Sequence, residues 1–242
     1  HRLGDVRRIG HLVEARVDHA IGGTDPDRLL ELQPRARRAQ AEQVFFPKTQ
    51  RTRYSDWFQA ASHNTYYNKF KGSGDDWHKV LDYTSVIEFD VWSYDSWKVY
   101  HNVAGETYCH MDLNGCLKVV RAWHDQHKDH DPITIFLEMK SVEGFRVPDL
   151  NGLLCGPTRG SRLGGRGKND AIFACDELFR PGDLLRAGIA KGQVYPSLRE
   201  AAQAGAWPSL AELKGKIIFV MGSGHESPTA KYLAETKLEV TP

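Results

Sequence analysis

The chain has 242 residues, 40% of them hydrophobic and 26% charged, an ordinary globular composition with room for one large domain or two small ones. Its 32 Lys and Arg against 31 Asp and Glu leave a net charge of +1, so no bulk field holds nucleic acid or an anionic membrane. The longest apolar runs, such as Ile217 to Met221, fall far below the roughly 18 residues that a membrane span needs.

The chain begins at His1 with neither an initiator Met nor an apolar signal region, as expected of a processed protein or part of one. Residues 1–50, rich in Arg, Glu, Ala and Leu, predict two polar helices, at Leu12 to His19 and Asp25 to Gln43, with Pro34 interrupting the second. The cluster Arg35, Arg37 and Arg38 reads as a solvated helix face. This region is expected to form a helical N-terminal extension ahead of a domain over residues 51–242.

From Tyr54 the character changes. Short β-prone runs appear at Trp57 to Ser62, Ser85 to Trp92, Trp97 to His101, Ile133 to Glu138, Ala171 to Ala174 and Lys216 to Met221. Helix-like stretches lie between them at Asn114 to His127, Leu198 to Ala204 and Ser209 to Leu213. Such alternation predicts an α/β fold with a parallel sheet, for which a TIM-type (β/α) barrel is one closure. The stretch from Trp57 onward is shorter than the roughly 200 residues of the smallest eight-stranded barrels, so an irregular or incomplete barrel is expected.

Two further segments read as structure without chemistry. Gly156 to Asn169, with five glycines and four Arg or Lys, predicts a long loop. His124, His127 and His130, spaced by three among Asp and Lys, predict a solvated helix terminus rather than a metal site. Aromatics between Tyr66 and Trp97 read mainly as core.

The four cysteines pair by position as Cys109 with Cys116 and Cys155 with Cys175. Neither spacing is CxxC, which speaks against zinc. The even count favours two disulfides and an oxidising, extracellular compartment; four buried thiols are the other reading.

The chemistry gathers at strand ends. Glu88 and Asp90, two apart on an apolar strand, point to one face, an arrangement that calls for a shared proton, a basic partner or a hard metal ion. Ile133 to Leu137 leads into Glu138 and Lys140, Trp97 to Tyr100 into His101, and Trp57 to Ser62 into His63 and Asn64. In a parallel α/β fold the C-terminal strand ends converge on one face, so these seven residues are expected at one mouth. Asn64, Glu88, Asp90 and Glu138 would offer a hard cation one neutral and three anionic oxygens, a set that suits calcium. His63 and His101 would be left for proton transfer. Lys140 would contact a phosphate or pair with Glu138 or Asp90.

Ser62-His63-Asn64-Thr65-Tyr66, followed by Glu88-Phe89-Asp90, Tyr100-His101 and Phe136-Leu137-Glu138, resembles the phosphatidylinositol-specific phospholipase C superfamily, and most of all its bacterial, calcium-dependent type. The resemblance covers roughly Trp57 to Gly222. It implies a barrel that uses one calcium ion to cleave phosphatidylinositol into diacylglycerol and a cyclic or open inositol phosphate. It further implies His63 as a donor to the phosphoryl oxygens, His101 as the general acid, and Glu138 or Glu88 as base. The expected partners are a phospholipid or inositol phosphodiester, with peripheral membrane contact and no nucleic acid, for a secreted monomer. Two other readings use the same residues: a glycerophosphodiester or sphingomyelin-type phosphodiesterase, and a catalytically idle lipid-binding module.

Overall fold

The computed structural model describes residues 51–67, 76–93, 96–101, 112–141, 146–156, 171–190, 192–223 and 230–231. The predicted helices of residues 1–50, Cys109 and residues 157–169 of the predicted loop lie outside these. Among the described residues five strands form one sheet: β1 (Ala61–Ser62), β2 (Val86–Ser93), β3 (Trp97–Val99), β4 (Ile133–Met139) and β5 (Ile217–Ser223). β1, β2, β4 and β5 are parallel and adjacent in chain order, and β3 pairs antiparallel with the far end of β2. Parallel strands that succeed one another in chain order, with helices in the connections, are the progression of a (β/α) barrel.

Side-chain alternation divides the sheet. Ile87, Phe89 and Val91 of β2, Ile133, Ile135, Leu137 and Met139 of β4, and Ile217 of β5 all join one core. That core includes Leu113, Cys116, Leu117 and Val120 of helix α1 (Leu113–Gln126), and Val147, Leu150, Leu153 and Leu154 of α2 (Val147–Cys155). The alternate residues, Glu88, Asp90 and Trp92 on β2 and Thr134, Phe136 and Glu138 on β4, take the opposite face. A strand with period-two burial thus presents its carboxylates on the face away from the helices.

The helices begin where local chemistry permits. Asp112 caps α1, its side chain accepting from Asn114 N–H at 2.8 Å, and Pro148 sits in the first turn of α2, where a missing N–H costs nothing. Two more helices, α3 (Pro181–Ala190) and α4 (Leu198–Gln203), pack together around Leu184, Ala201 and Ala206. At the other end of the sheet Tyr54 packs on Trp207 with ring centroids 4.8 Å apart, and its hydroxyl meets Thr134 Oγ1 at 2.5 Å. The segment from residue 51 is therefore integral to this fold.

Several expectations need correction. Ala171 to Ala174 is not a strand: Ile172 and Phe173 donate their N–H groups to Leu153 and Leu154 at the end of α2, so the segment covers the helix rather than joining the sheet. Ser209 to Leu213 is a series of turns, not a helix. The run Trp57 to Ser62 is strand only at Ala61–Ser62, and α2 and α3 were missed because Gly and Pro interrupt their apolar period. Cys155 and Cys175 form a disulfide across 20 residues, and Cys116 is also disulfide-bonded.

The histidine expectation also fails in part. His124 is buried, with Nδ1 2.7 Å from Nε2 of His130 and Nε2 3.2 Å from Glu177 Oε1. Arg121 and Lys128 also reach the Glu177 carboxylate, at 2.6 and 3.1 Å. Glu177 and its cations thus tie α1 to the segment that follows the disulfide.

Burial pushes both imidazoles down, His130 to about 4, with His124 and nearby cations adding to the effect. Burial alone would raise Glu177, but the Ala174 N–H, His124, Lys128 and Arg121 outweigh it and hold the carboxyl at about 2. Because the unfolded histidine titrates near 6.5, acidification from there to about 4 protonates the unfolded chain first and removes stability. The Glu177 contribution is present above about 4.5 and is lost from there down to about 2. The melting temperature is expected to fall through both windows in turn, and a scan against pH should show a shallower upper slope in His130→Gln.

Candidate active site

The five residues Ser62 to Tyr66 form a tight turn that β1 delivers beside β2. Ser62 pairs with Ile87 in the parallel ladder, and the chain then reverses through Asn64, which has a φ of 49°, in the left-handed region that asparagine tolerates better than most residues. Thr65, fully buried, donates its hydroxyl to Ser62 O at 2.8 Å and accepts from Glu88 N–H at 3.2 Å. Asn64 N–H donates to Glu88 Oε2 at 2.6 Å. The turn is thus fastened to the carboxylate strand by its own backbone and by Thr65.

Tyr66 completes the junction. It is fully buried in the apolar core, and its hydroxyl lies 2.7 Å from Asp90 Oδ2 and 3.1 Å from Asn64 Oδ1, one hydrogen between two acceptors. The sequence reading set this residue among core aromatics, which is half of its role. The signal that could have found the other half was its place in an unbroken polar run, two residues after Asn64.

On the sheet face, Asp90 and Glu138 are direct neighbours in the β2–β4 register, with Glu88 two residues away on the same face of β2. One carboxylate oxygen from each of the three lies within 4.8 Å of the others. Asp90 is fully buried, and Oδ1 of Asp90 and Oε1 of Glu88 are both buried without a hydrogen bond. Like charges so close, short of donors, are electrostatically unfavourable. Burial first, then the Asp90 charge, pushes Glu88 up to about 9. The same two causes raise Tyr66 far above the ordinary phenol range, so its hydroxyl stays a donor.

Lys140 supplies the one positive charge that contacts this group among the described residues. Its Nζ is 2.9 Å from Glu138 Oε1 and 3.1 Å from Asp90 Oδ1, so the expected ion pair forms with both partners at once. Burial opposes the ammonium, but these two carboxylates carry it above its usual range.

The segment that carries His101 does not follow the route expected from the sequence. β3 does not run parallel with its end at a common mouth; it is the return arm of a hairpin with β2, pairing Val99 with Val91. Tyr100 N–H then donates to Asp90 O at 3.3 Å, so Tyr100 lies beside Asp90 and His101 follows it along β2 rather than beyond Ser93. Trp92 locks that position: its indole N–H donates to Tyr100 O at 2.8 Å, and its ring stacks on Tyr100 with centroids 5.0 Å apart. His101 is partly exposed, and His63 is exposed with Nδ1 3.4 Å from Asn64 Nδ2. Chemically, this face offers oxygen ligands with an ammonium between two of the carboxylates, and an exposed imidazole, His63, beside Asn64.

This donor set fits a hard divalent cation. The ligands are oxygens: Glu88 Oε1 is buried without a hydrogen bond, buried Asp90 Oδ1 has only the Lys140 ammonium against it, and Asn64 Oδ1 stands against the same Tyr66 hydroxyl as Asp90.

A family model described as "Phosphoinositide phospholipase C, Ca2+-dependent" matches residues 75–240, more than half of the chain. Among solved structures, a calcium-dependent phosphoinositol-specific phospholipase C from a Gram-negative bacterium, Pseudomonas sp, is 23% identical in an apo form, with a TM-score of 0.56, over 81% of this chain and 67% of that one. Its myoinositol complex gives 22% identity and a TM-score of 0.58 over the same shares. A phosphatidylinositol-specific enzyme from Streptomyces antibioticus is 28% identical over 66% of this chain and 50% of its own, with a TM-score of 0.42. A comparison with curated proteins finds no match. The Pseudomonas structures are similar in fold, in agreement with a TIM-type architecture for the strands described here.

Proposed function

Because the chain belongs to the calcium-dependent phosphoinositide phospholipase C family, whose members are phosphodiesterases with calcium as cofactor, we propose that it cleaves phosphatidylinositol to diacylglycerol and an inositol phosphate. The observation that supports this reading is the cluster of Glu88, Asp90 and Glu138 with Asn64 against the same Tyr66 hydroxyl, a buried Glu88 oxygen without a partner, and His63 exposed beside Asn64.

Asn64, Glu88, Asp90 and Glu138 would hold the calcium ion, which when bound lowers the pKa of an inositol hydroxyl and neutralises charge on the phosphoryl group. His63, exposed beside Asn64, donates a hydrogen bond to a phosphoryl oxygen. The hydroxyl oxygen forms its bond to phosphorus as the bond from phosphorus to the glycerol oxygen breaks, which leaves a cyclic phosphate for water to open. Glu138 takes the hydroxyl proton: its side chain is 31% exposed, whereas Glu88 Oε2 is engaged by the Asn64 N–H. His101 gives a proton to the departing glycerol oxygen, a task that suits imidazole near neutral pH.

Residues 51–242 are read as the catalytic domain, with residues 1–50 as an extension. The Cys155–Cys175 disulfide, of a kind that persists in oxidising compartments, supports a secreted protein; action as a monomer at a membrane surface is the remainder of the reading.

The test is headgroup release from vesicles of phosphatidylinositol, phosphatidylcholine and sphingomyelin, with calcium and with excess chelator. Release from phosphatidylinositol alone, stopped by chelator, is the expected result. Undiminished release in chelator would remove the metal role. Release only from choline lipids would favour the sphingomyelin-type reading, and calcium binding without turnover of any lipid would favour the idle module.

A further inference from the structure

Asp90 and Glu138 face each other across the β2–β4 ladder, a pairing of like charges that is unfavourable without a cation between them. Lys140 is the cation the chain itself provides. It follows β4 directly, and its N–H donates to Val91 O at 2.8 Å, which continues the strand pairing by one step. Two residues beyond Glu138, its side chain takes the same face. The ammonium spans the two acids, 2.9 Å from Glu138 Oε1 and 3.1 Å from Asp90 Oδ1, and the latter oxygen is buried with no other partner.

Calcium bonds carboxylate oxygens at roughly 2.3–2.6 Å, so an ion on these same two oxygens would enter the gap that the ammonium spans. Two cations do not share such a gap. The lysine stem is flexible and 23% exposed, which leaves the ammonium a way out toward solvent. Charge decides where it is then useful. Even with Glu88 holding its proton, Asp90 and Glu138 against one ammonium leave the face negative and repel a phosphodiester; a divalent cation removes that excess and frees a lysine to meet the anion.

We propose that Lys140 and calcium compete for Glu138 Oε1 and Asp90 Oδ1, and that the displaced ammonium becomes a contact for the substrate phosphate. This rests on the ligand set proposed above and gives that site an order of assembly, cation first and anion second. By reciprocity, an anion held by the displaced lysine also tightens calcium.

The test is a calorimetric calcium titration, without substrate, of the full chain and of Lys140→Met. The variant is expected to bind calcium about tenfold more tightly, because a competing charge is gone while the ligand count stays the same. Equal or weaker affinity in the variant overturns the competition and leaves the ligand set standing. Neither calorimetric heat nor a calcium-induced melting shift in either protein overturns the ligand set, and the competition with it.

A second measurement needs no variant: labelling of the wild type by an amine-reactive acetyl ester, read by mass spectrometry. Calcium is expected to raise labelling of Lys140 several-fold against Lys98 and Lys118, and inorganic phosphate added to the calcium-loaded protein should reverse the rise. Unchanged or reduced labelling on adding calcium overturns the proposal.

Discussion

Replacing His101 by alanine is expected to slow phosphatidylinositol cleavage by about two to four orders of magnitude while calcium affinity stays nearly constant. The backbone that presents the imidazole does not depend on it. Tyr100 is held on one side by Asp90 O and on the other by the Trp92 indole, so the fold and the carboxylate group should survive the change. The role is tested through the leaving group. A general acid matters in proportion to the basicity of the oxygen that departs, so an inositol phosphodiester with a nitrophenol leaving group should lose far less rate in His101→Ala than the natural lipid does. An equal loss with both substrates would sink the acid assignment and leave His101 a binding or structural role.

Glu88→Gln carries the second large effect, on the metal. Glutamine keeps an oxygen for the Asn64 N–H, so the turn of Ser62 to Tyr66 should stay fastened to β2. What is lost is one of three charges in a site whose affinity follows ligand charge. Calcium binding is expected to weaken about ten- to a hundredfold, with turnover recovering as calcium is raised. A second sign should accompany it. Burial and the neighbouring Asp90 disfavour the charge of Glu88, a cost that glutamine does not carry, so in excess chelator near neutral pH the variant should melt above the wild type, and the order should reverse in saturating calcium. A variant that binds calcium as tightly as the wild type would exclude Glu88 from the ligand set.

Much of this site was legible in the chain, for a definite reason. A β-strand has period two, so Glu88 with Asp90 and Glu138 with Lys140 declare a common face wherever the strands end up. Register was not legible. That Asp90 faces Glu138, and not Phe136, follows from the pairing of β2 with β4, which the hydrophobic pattern allows but does not number. The antiparallel return of β3 was likewise hidden, because Trp97 to Val99 is a short apolar run with no mark of direction. The histidines of α1 show the opposite error. Polar neighbours suggested a solvated end, but Glu177, more than 50 residues away in the chain, draws His124 into a buried network.

Residue types and spacing by themselves determined the family resemblance, the α/β class, the Cys155–Cys175 pairing as one of the expected bridges, and which residues are candidates to bind a cation or carry a proton. Those properties are local: a strand's two faces, an ordered motif and a charge in an apolar run are written in consecutive residues. Only the tertiary structure decided that Tyr66 bridges Asn64 and Asp90, that Trp92 holds the peptide before His101, and that Lys140 lies between two carboxylates rather than beside one. Each of these is a contact between distant segments within about 3 Å, and such distances depend on strand register and packing, which belong to the whole fold and to no single stretch of it.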